Sequence, residues 1–183
     1  MNKVYIKKLK DIIVNNELND VVSYTDETMK ETSLKAWSFL YEILLDSYNI
    51  KLSKDQLFYN EYKKPYLKDN PLYFNISHSN QLIAIIVSDK ECGIDIEYID
   101  ETRNLAKISR KVLSPNELLL YNLSIRKHKY FYKQWTKKEA YYKQIGTGIK
   151  YNKISENIDQ RKIRSYIYID KETKDKYYIS YTK

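Results

Sequence analysis

The chain has 183 residues, enough for one domain or two small subdomains. At that length roughly 70% of the unfolded surface is buried on folding, so a core needs neither disulfides nor a structural metal. The 43% hydrophobic and 31% charged content exclude a disordered chain. The net charge of +8 is uneven, because Arg103 to Lys143 holds eleven basic residues and two acidic ones, Glu117 and Glu139. That stretch serves an anionic partner or ligand, or it is a solubilising face.

Met1 to Lys10 is basic but has no apolar stretch of about 7–15 residues, so it does not read as a signal peptide. No run approaches about 18 apolar residues, which excludes a membrane-spanning helix. Leu34, Trp37, Leu40, Tyr41, Leu44, Leu45 and Tyr48 follow helical spacing, predicting a helix over Leu34–Tyr48 with one buried stripe. Gln56–Asn60 reads as a short strand, and Lys63-Lys64-Pro65 and Asp69-Asn70-Pro71 as turns. Three β-rich runs follow, Leu72–Ile76, Leu82–Ser88 and Gly93–Ile99. The first pair is joined by Ser77-His78-Ser79-Asn80 and the second by Asp89-Lys90-Glu91, both short enough for antiparallel hairpins.

Ser114-Pro115-Asn116-Glu117 supplies a cap, a proline at the first helical position and a Glu at the third, starting a helix through Tyr121. A stronger helix runs from about Lys129 to Ile145 and stops near Gly146. Lys162–Ile169 and Lys176–Thr182 alternate like a hairpin. Strands mixed with segregated helices make the fold class α+β. The lone cysteine, Cys92, excludes an intramolecular disulfide and a multi-cysteine zinc site, and suits a reducing cytoplasm.

Four segments could carry chemistry. In Gly93-Ile94-Asp95-Ile96-Glu97, strand alternation puts Asp95 and Glu97 side by side on one face. Adjacent carboxylates repel unless a cation bridges them or one is protonated. Hard oxygen donors with no nearby His or Cys favour Mg²⁺, although an exposed acidic strand face has the same pattern. In Trp135-Thr136-Lys137-Lys138-Glu139-Ala140-Tyr141-Tyr142-Lys143, Glu139 and Lys143 share a helix face. They are an ordinary surface pair, or, beside a metal, a third carboxylate and a cation aimed at phosphate; Trp135, Ala140 and Tyr142 read as core. In Phe74-Asn75-Ile76-Ser77-His78-Ser79, hydroxyls flank a histidine. They can donate to phosphate oxygens, or simply hold a turn. Lys64-Pro65 fixes an extended lysine that could face an anion.

Taken together and in this order, these motifs, with Phe131-Tyr-x-x-Trp-Thr-x-Lys-Glu-Ala-Tyr-x-Lys143, resemble the Sfp-type 4′-phosphopantetheinyl transferases. The resemblance is firm over about Lys64–Ile149 and looser over the Leu34–Tyr48 helix. It implies an α+β fold of two similar halves, 1–91 and 92–183, about a pseudo-twofold axis with the site in the cleft between them. It implies transfer of the 4′-phosphopantetheine arm of coenzyme A to a serine of an apo acyl or peptidyl carrier protein, with release of adenosine 3′,5′-bisphosphate.

By the resemblance Asp95, Glu97 and Glu139 are the Mg²⁺ ligands. Glu139 is also the general base, directly or through a water, and Lys143 stabilises or protonates the departing phosphate. Lys138 contacts phosphate or pantetheine, and Lys64, Ser77 and His78 contact the nucleotide of coenzyme A and its phosphates. Carrier proteins of this kind are acidic, so Arg103, Lys107, Arg110 and Lys111, mixed with Leu105 and Ile108, are the expected docking face. A pseudo-dimeric chain needs no second copy, so a cytoplasmic monomer is implied, with no membrane or nucleic-acid partner. One departure concerns the basic residues that the family places before and at the start of its first long helix, where they reach the 3′-phosphate. Here that start reads Glu31-Thr32-Ser33, with Lys30 and Lys35 nearby and a hydroxyl on Ser33.

Two other classes fit parts of the pattern. A Mg²⁺-dependent nuclease would use the carboxylates and the positive charge, but leaves the Ser-His-Ser run unexplained. A basic, tyrosine-rich nucleic-acid-binding module should gather its aromatics on one solvated sheet face, whereas Trp37 and Trp135 follow helical stripes.

Overall fold

The computed structural model describes residues 2–22, 26–147 and 156–183. Ile149, the end of the firm resemblance, lies outside the described residues. The chain begins with β1 (Lys3–Lys8) and then α1 (Glu27–Tyr48), followed by a small ribbon of β2 (Leu57–Tyr59) and β3 (Pro65–Leu67). Then come β4 (Tyr73–Ser79), β5 (Leu82–Ser88) and β6 (Ile94–Tyr98). The last elements are α2 (Ala106–Val112), α3 (Pro115–Leu123), α4 (Lys127–Ile145), β7 (Ile163–Ile169) and β8 (Lys176–Thr182). The class is mixed α+β.

Two three-stranded sheets form the frame, one ordered β1-β5-β4 and the other β6-β8-β7. β5 is buried at every position. Its alternate residues serve two cores: Ile83, Ile85 and Val87 pack with Trp37, Leu40 and Leu44 of α1, while Leu82, Ala84 and Ile86 meet Ile94, Ile96 and Ile179 of the second sheet. A strand covered on both faces reads as one unbroken apolar run.

α1 starts at Glu27, not Leu34, with the Asp26 carboxylate capping the Met29 N–H at 2.9 Å. Its first turns are polar, so apolar spacing does not reveal them. The expected hairpin between Leu82–Ser88 and Gly93–Ile99 does not form: β6 pairs with β8. Both edges of β5 are already taken, by β4 and by β1, a strand the sequence reading did not place. Ser77, His78 and Ser79 belong to β4, and the turn is Asn80–Gln81 with Asn80 at φ 50°. The β7–β8 hairpin and the Ser114/Glu117 capping box form as expected, and α4 ends at Gly146 with φ 67°. α2 has no counterpart in the sequence reading.

The two sheets meet along an unusual seam. Asn75, Ser77 and Ser79, alternate residues of β4, accept from the backbone N–H groups of Ile94, Ile96 and Tyr98 at 2.9, 3.3 and 3.0 Å. Side-chain oxygens here substitute for a backbone ladder, satisfying donors that would otherwise be buried without partners. Among the described residues no helix is long and apolar enough to cross a membrane.

Candidate active site

A cavity of about 1010 Å³ opens where α1, the β2–β3 ribbon, β4, β6 and α4 converge. Asp95 and Glu97 project into it from β6, Ser77 and His78 from β4, and Glu139 and Lys143 from successive turns of α4. β6 and α4 are pressed backbone to backbone: a Cβ at Gly93 would overlap the Ala140 carbonyl oxygen and come within 2.5 Å of the Gln144 nitrogen. The Gly93 N–H donates to Thr182 Oγ1 and its carbonyl accepts from the Thr182 N–H, each at 3.0 Å, fixing the start of the strand.

Ser77 lies at the centre of the polar network. Its hydroxyl accepts from the Ile96 N–H and from Lys143 Nζ at 2.9 Å, and donates to Asp95 Oδ1 at 2.9 Å. Lys143 Nζ also donates to Asp95 Oδ1 at 2.7 Å. The parallel arrangement holds Glu97: Ser79 Oγ donates to Oε2 at 3.2 Å and Trp135 Nε1 to Oε1 at 3.0 Å. Ser79 and Trp135 were not among the expected site residues. Reading the Ser-His-Ser run as strand would have placed Ser79 on the face of Ser77; nothing in the sequence separates Trp135 from core.

Burial governs the charges. It raises the Asp95 carboxyl, against the pull of Lys143 and Ser77. Burial and then the Asp95 charge push Glu97 up to about 7 and Glu139 up to about 8. Burial works against the Lys143 ammonium, but Asp95, Glu139 and Glu97 outweigh it and hold its pKa above the ordinary range. Partial desolvation against the cavity wall and then Lys143 lower the pKa of the His78 imidazole, although the residue is exposed.

Asp95 Oδ2 is buried and has no hydrogen-bond partner. An unpaired buried carboxylate oxygen beside two further carboxylates fits a hard divalent cation. The three do not yet form one coordination sphere: among the described residues no three His, Cys, Asp or Glu side chains are gathered closely enough to share an ion. Glu97 is the reason in part, since both its oxygens are engaged by Ser79 and Trp135.

Two of the expected contact residues are turned away from the cavity in this structure. Lys138 does not face the cavity; it is 0% exposed and its Nζ pairs with Glu117 at 2.8 Å. It stands one residue, about 100° of helix, from Glu139, so it faces α3 when Glu139 faces the cavity. Lys64 is also turned inward, at 7% exposure, donating to the Gln144 carbonyl at 2.6 Å and the Cys92 carbonyl at 3.3 Å. It caps the end of α4, while its neighbour Lys63 lines the cavity. Ser33 lines the α1 wall, and Lys35 pairs with Glu31 at 2.8 Å. On the basic stretch Arg103, Lys107, Arg110 and Lys111 are exposed and Ile108 half-buried, but Leu105 is buried in the core and offers no apolar contact outside.

The family model of the 4′-phosphopantetheinyl transferase superfamily matches residues 91–182, half of the chain. The 4′-phosphopantetheinyl transferase gsp of Aneurinibacillus migulanus is 34% identical over 138 residues, covering 72% of this chain and 57% of the relative. HetI of Nostoc sp. is 39% identical over 98 residues, 50% of this chain and 41% of its own length. A 4′-phosphopantetheinyl transferase of Bacillus subtilis is 39% identical over 95 residues, 49% of this chain and 40% of the relative. The chain thus spans about half the length of the curated relatives it matches. With β6, α4 and the β7–β8 hairpin inside the matched segment, the chain belongs to the 4′-phosphopantetheinyl transferase superfamily.

Proposed function

We propose that this chain transfers the 4′-phosphopantetheine arm of coenzyme A to a serine of an acidic apo acyl or peptidyl carrier protein. The observation that carries the reading is the buried, half-unpartnered Asp95 carboxylate, set with Glu97, Glu139 and Lys143 in one large cavity. In the transfer the serine oxygen bonds to the phosphorus next to pantetheine. The bond from that phosphorus to the bridging oxygen breaks, and adenosine 3′,5′-bisphosphate leaves with the electron pair.

Asp95, Glu97 and Glu139 would hold Mg²⁺, which when bound neutralises the pyrophosphate. Glu139 accepts the serine proton, directly or through a water. Its position beside the serine and the metal site supplies most of the effect, because a bound cation would offset the rise that burial and the Asp95 charge give this carboxyl without metal. Lys143, kept charged by the surrounding carboxylates, stabilises the departing phosphate or gives it a proton. Ser77 holds Asp95 and Lys143 in register, and His78 can donate to a phosphate oxygen. Orientation and preset charge do most of the work in such a transfer.

We read the chain as two halves, 1–91 and 92–183, about a pseudo-twofold axis, with the cavity between them. Each half supplies a three-stranded sheet and one long helix. Exposed Arg103, Lys107, Arg110 and Lys111 steer the acidic carrier. The reading includes a cytoplasmic monomer: a single, buried cysteine, Cys92, suits a reducing compartment, and a chain that carries both halves of the cleft needs no second copy. The test is the intact mass of an apo carrier protein incubated with this chain, coenzyme A and Mg²⁺. We expect a gain of one phosphopantetheine, about 340 Da from its formula, lost with EDTA or in Glu139→Gln. No gain across fatty-acid, polyketide and peptide-synthetase carriers would overturn the reading.

A further inference from the structure

Lys63 sits at φ 64°, the left-handed region that L side chains rarely adopt. Its turn is fixed on every side. The Asn60 side-chain oxygen accepts from the Tyr62 and Lys64 N–H groups, and the Lys63 N–H donates to the Asn60 carbonyl at 2.9 Å. Asn60 Nδ2 donates to the Gly146 carbonyl at 3.0 Å, and Lys64 grips Gln144, so the turn is fastened to the end of the helix that carries Glu139 and Lys143. The strained residue is therefore held at a set place relative to the carboxylates. Strain of this kind persists where the surrounding structure over-determines it, and it concentrates at binding sites.

Among the described residues lining the cavity, the lysines are Lys63 and Lys143. Lys143 is committed to Asp95 and Ser77. The ammonium of Lys63 makes no hydrogen bond or ion pair among the described residues. The α1 wall beside it offers Thr28, Thr32 and Ser33 but no cation: Lys35 is tied to Glu31, and Lys30 does not line the cavity. Coenzyme A carries three phosphates. The pyrophosphate belongs with Lys143 and the carboxylate cluster, which leaves the phosphate on the ribose to be matched by a free cation.

We propose that Lys63 holds the ribose 3′-phosphate of coenzyme A, so that the turn between β2 and β3, rather than the start of α1, distinguishes the phosphorylated nucleotide. This rests on the coenzyme A reading above. Calorimetric titration of wild type, Lys63→Gly and Lys63→Gln with coenzyme A and with 3′-dephospho-coenzyme A tests it. Glycine relieves the positive φ while removing the charge, so its melting temperature should match or exceed that of wild type. Wild type should prefer coenzyme A by about tenfold or more, the worth of one charge-assisted contact. In both variants the two ligands should bind alike, with the affinity for the dephospho form unchanged. A preference that survives in both variants, or a wild type with no preference, overturns the assignment of Lys63 and leaves the coenzyme A reading intact. A wild type that binds neither ligand overturns both.

Discussion

On the β6–α4 wall of the cavity Lys143 is engaged with Asp95 and Ser77, and Glu97 with Ser79 and Trp135, while Asp95 Oδ2 is left without a partner. On the α1 and β2–β3 wall the polar groups are hydroxyls and one exposed, uncommitted lysine. The first wall is buried and pre-set, its carboxylates pushed up toward neutrality by their own crowding. The second is more exposed, with Thr28, Tyr59 and Lys63 open to solvent. The transfer proposed above would benefit from this split, since rigidity serves orientation and exposure serves entry and release.

The contrast breaks most completely if the first wall is loosened. Gly93→Ala drives a Cβ into the Ala140 carbonyl, where the neighbour is backbone and cannot swing aside. We expect a loss of about 1–3 kcal/mol in chemical denaturation, as for overpacked cores, and transfer activity lowered by more than tenfold as β6 and α4 separate. Unchanged stability would show that the close approach is not a constraint.

A second measurement sharpens the electrostatic half of the comparison. Glu97 and Glu139 have pKa values raised in the folded chain, to about 7 and about 8. The folded state therefore binds more protons than the unfolded state between the ordinary carboxylate range and pH 8. Their contribution to stability is full below that ordinary range and is lost as pH rises through about 7 and 8. The melting temperature without metal should fall across this window, and Mg²⁺ should restore it most at the upper end, with proton release measurable by calorimetry in buffers of different ionisation enthalpy. A flat profile in Glu97→Gln/Glu139→Gln would tie the effect to this pair.

The smallest effect lies outside the cavity. Replacing Arg110 and Lys111 by Gln should raise KM for the carrier several-fold and leave coenzyme A binding alone, because exposed charges act chiefly on encounter. Added salt should erase the difference between variant and wild type. Equal carrier KM values at low salt would remove this face from the docking surface.

Part of the site was legible because it follows fixed local periods. Alternation along a strand puts Asp95 beside Glu97, and four residues of helix put Glu139 below Lys143, whatever surrounds them. Ser79 was hidden by an error of boundary, since a run read as a turn proved to be strand. Lys63 rather than Lys64 lines the cavity for a reason no pattern records: Lys63 stands at positive φ, and its neighbour caps α4.

By itself the sequence determined the α+β class, the α3 cap, the C-terminal hairpin, the ends of β5 and the pairing of residue types in the acidic motif. These depend on apolar spacing and capping chemistry within a few residues. Tertiary structure alone decided that β6 leaves β5 for β8, that serine side chains stitch the two sheets, that Lys138 serves Glu117, and that Asp95 keeps an oxygen without a partner. Each depends on which strand edges are already filled and on which face of a helix meets another element, and those are properties of the assembled chain rather than of any segment.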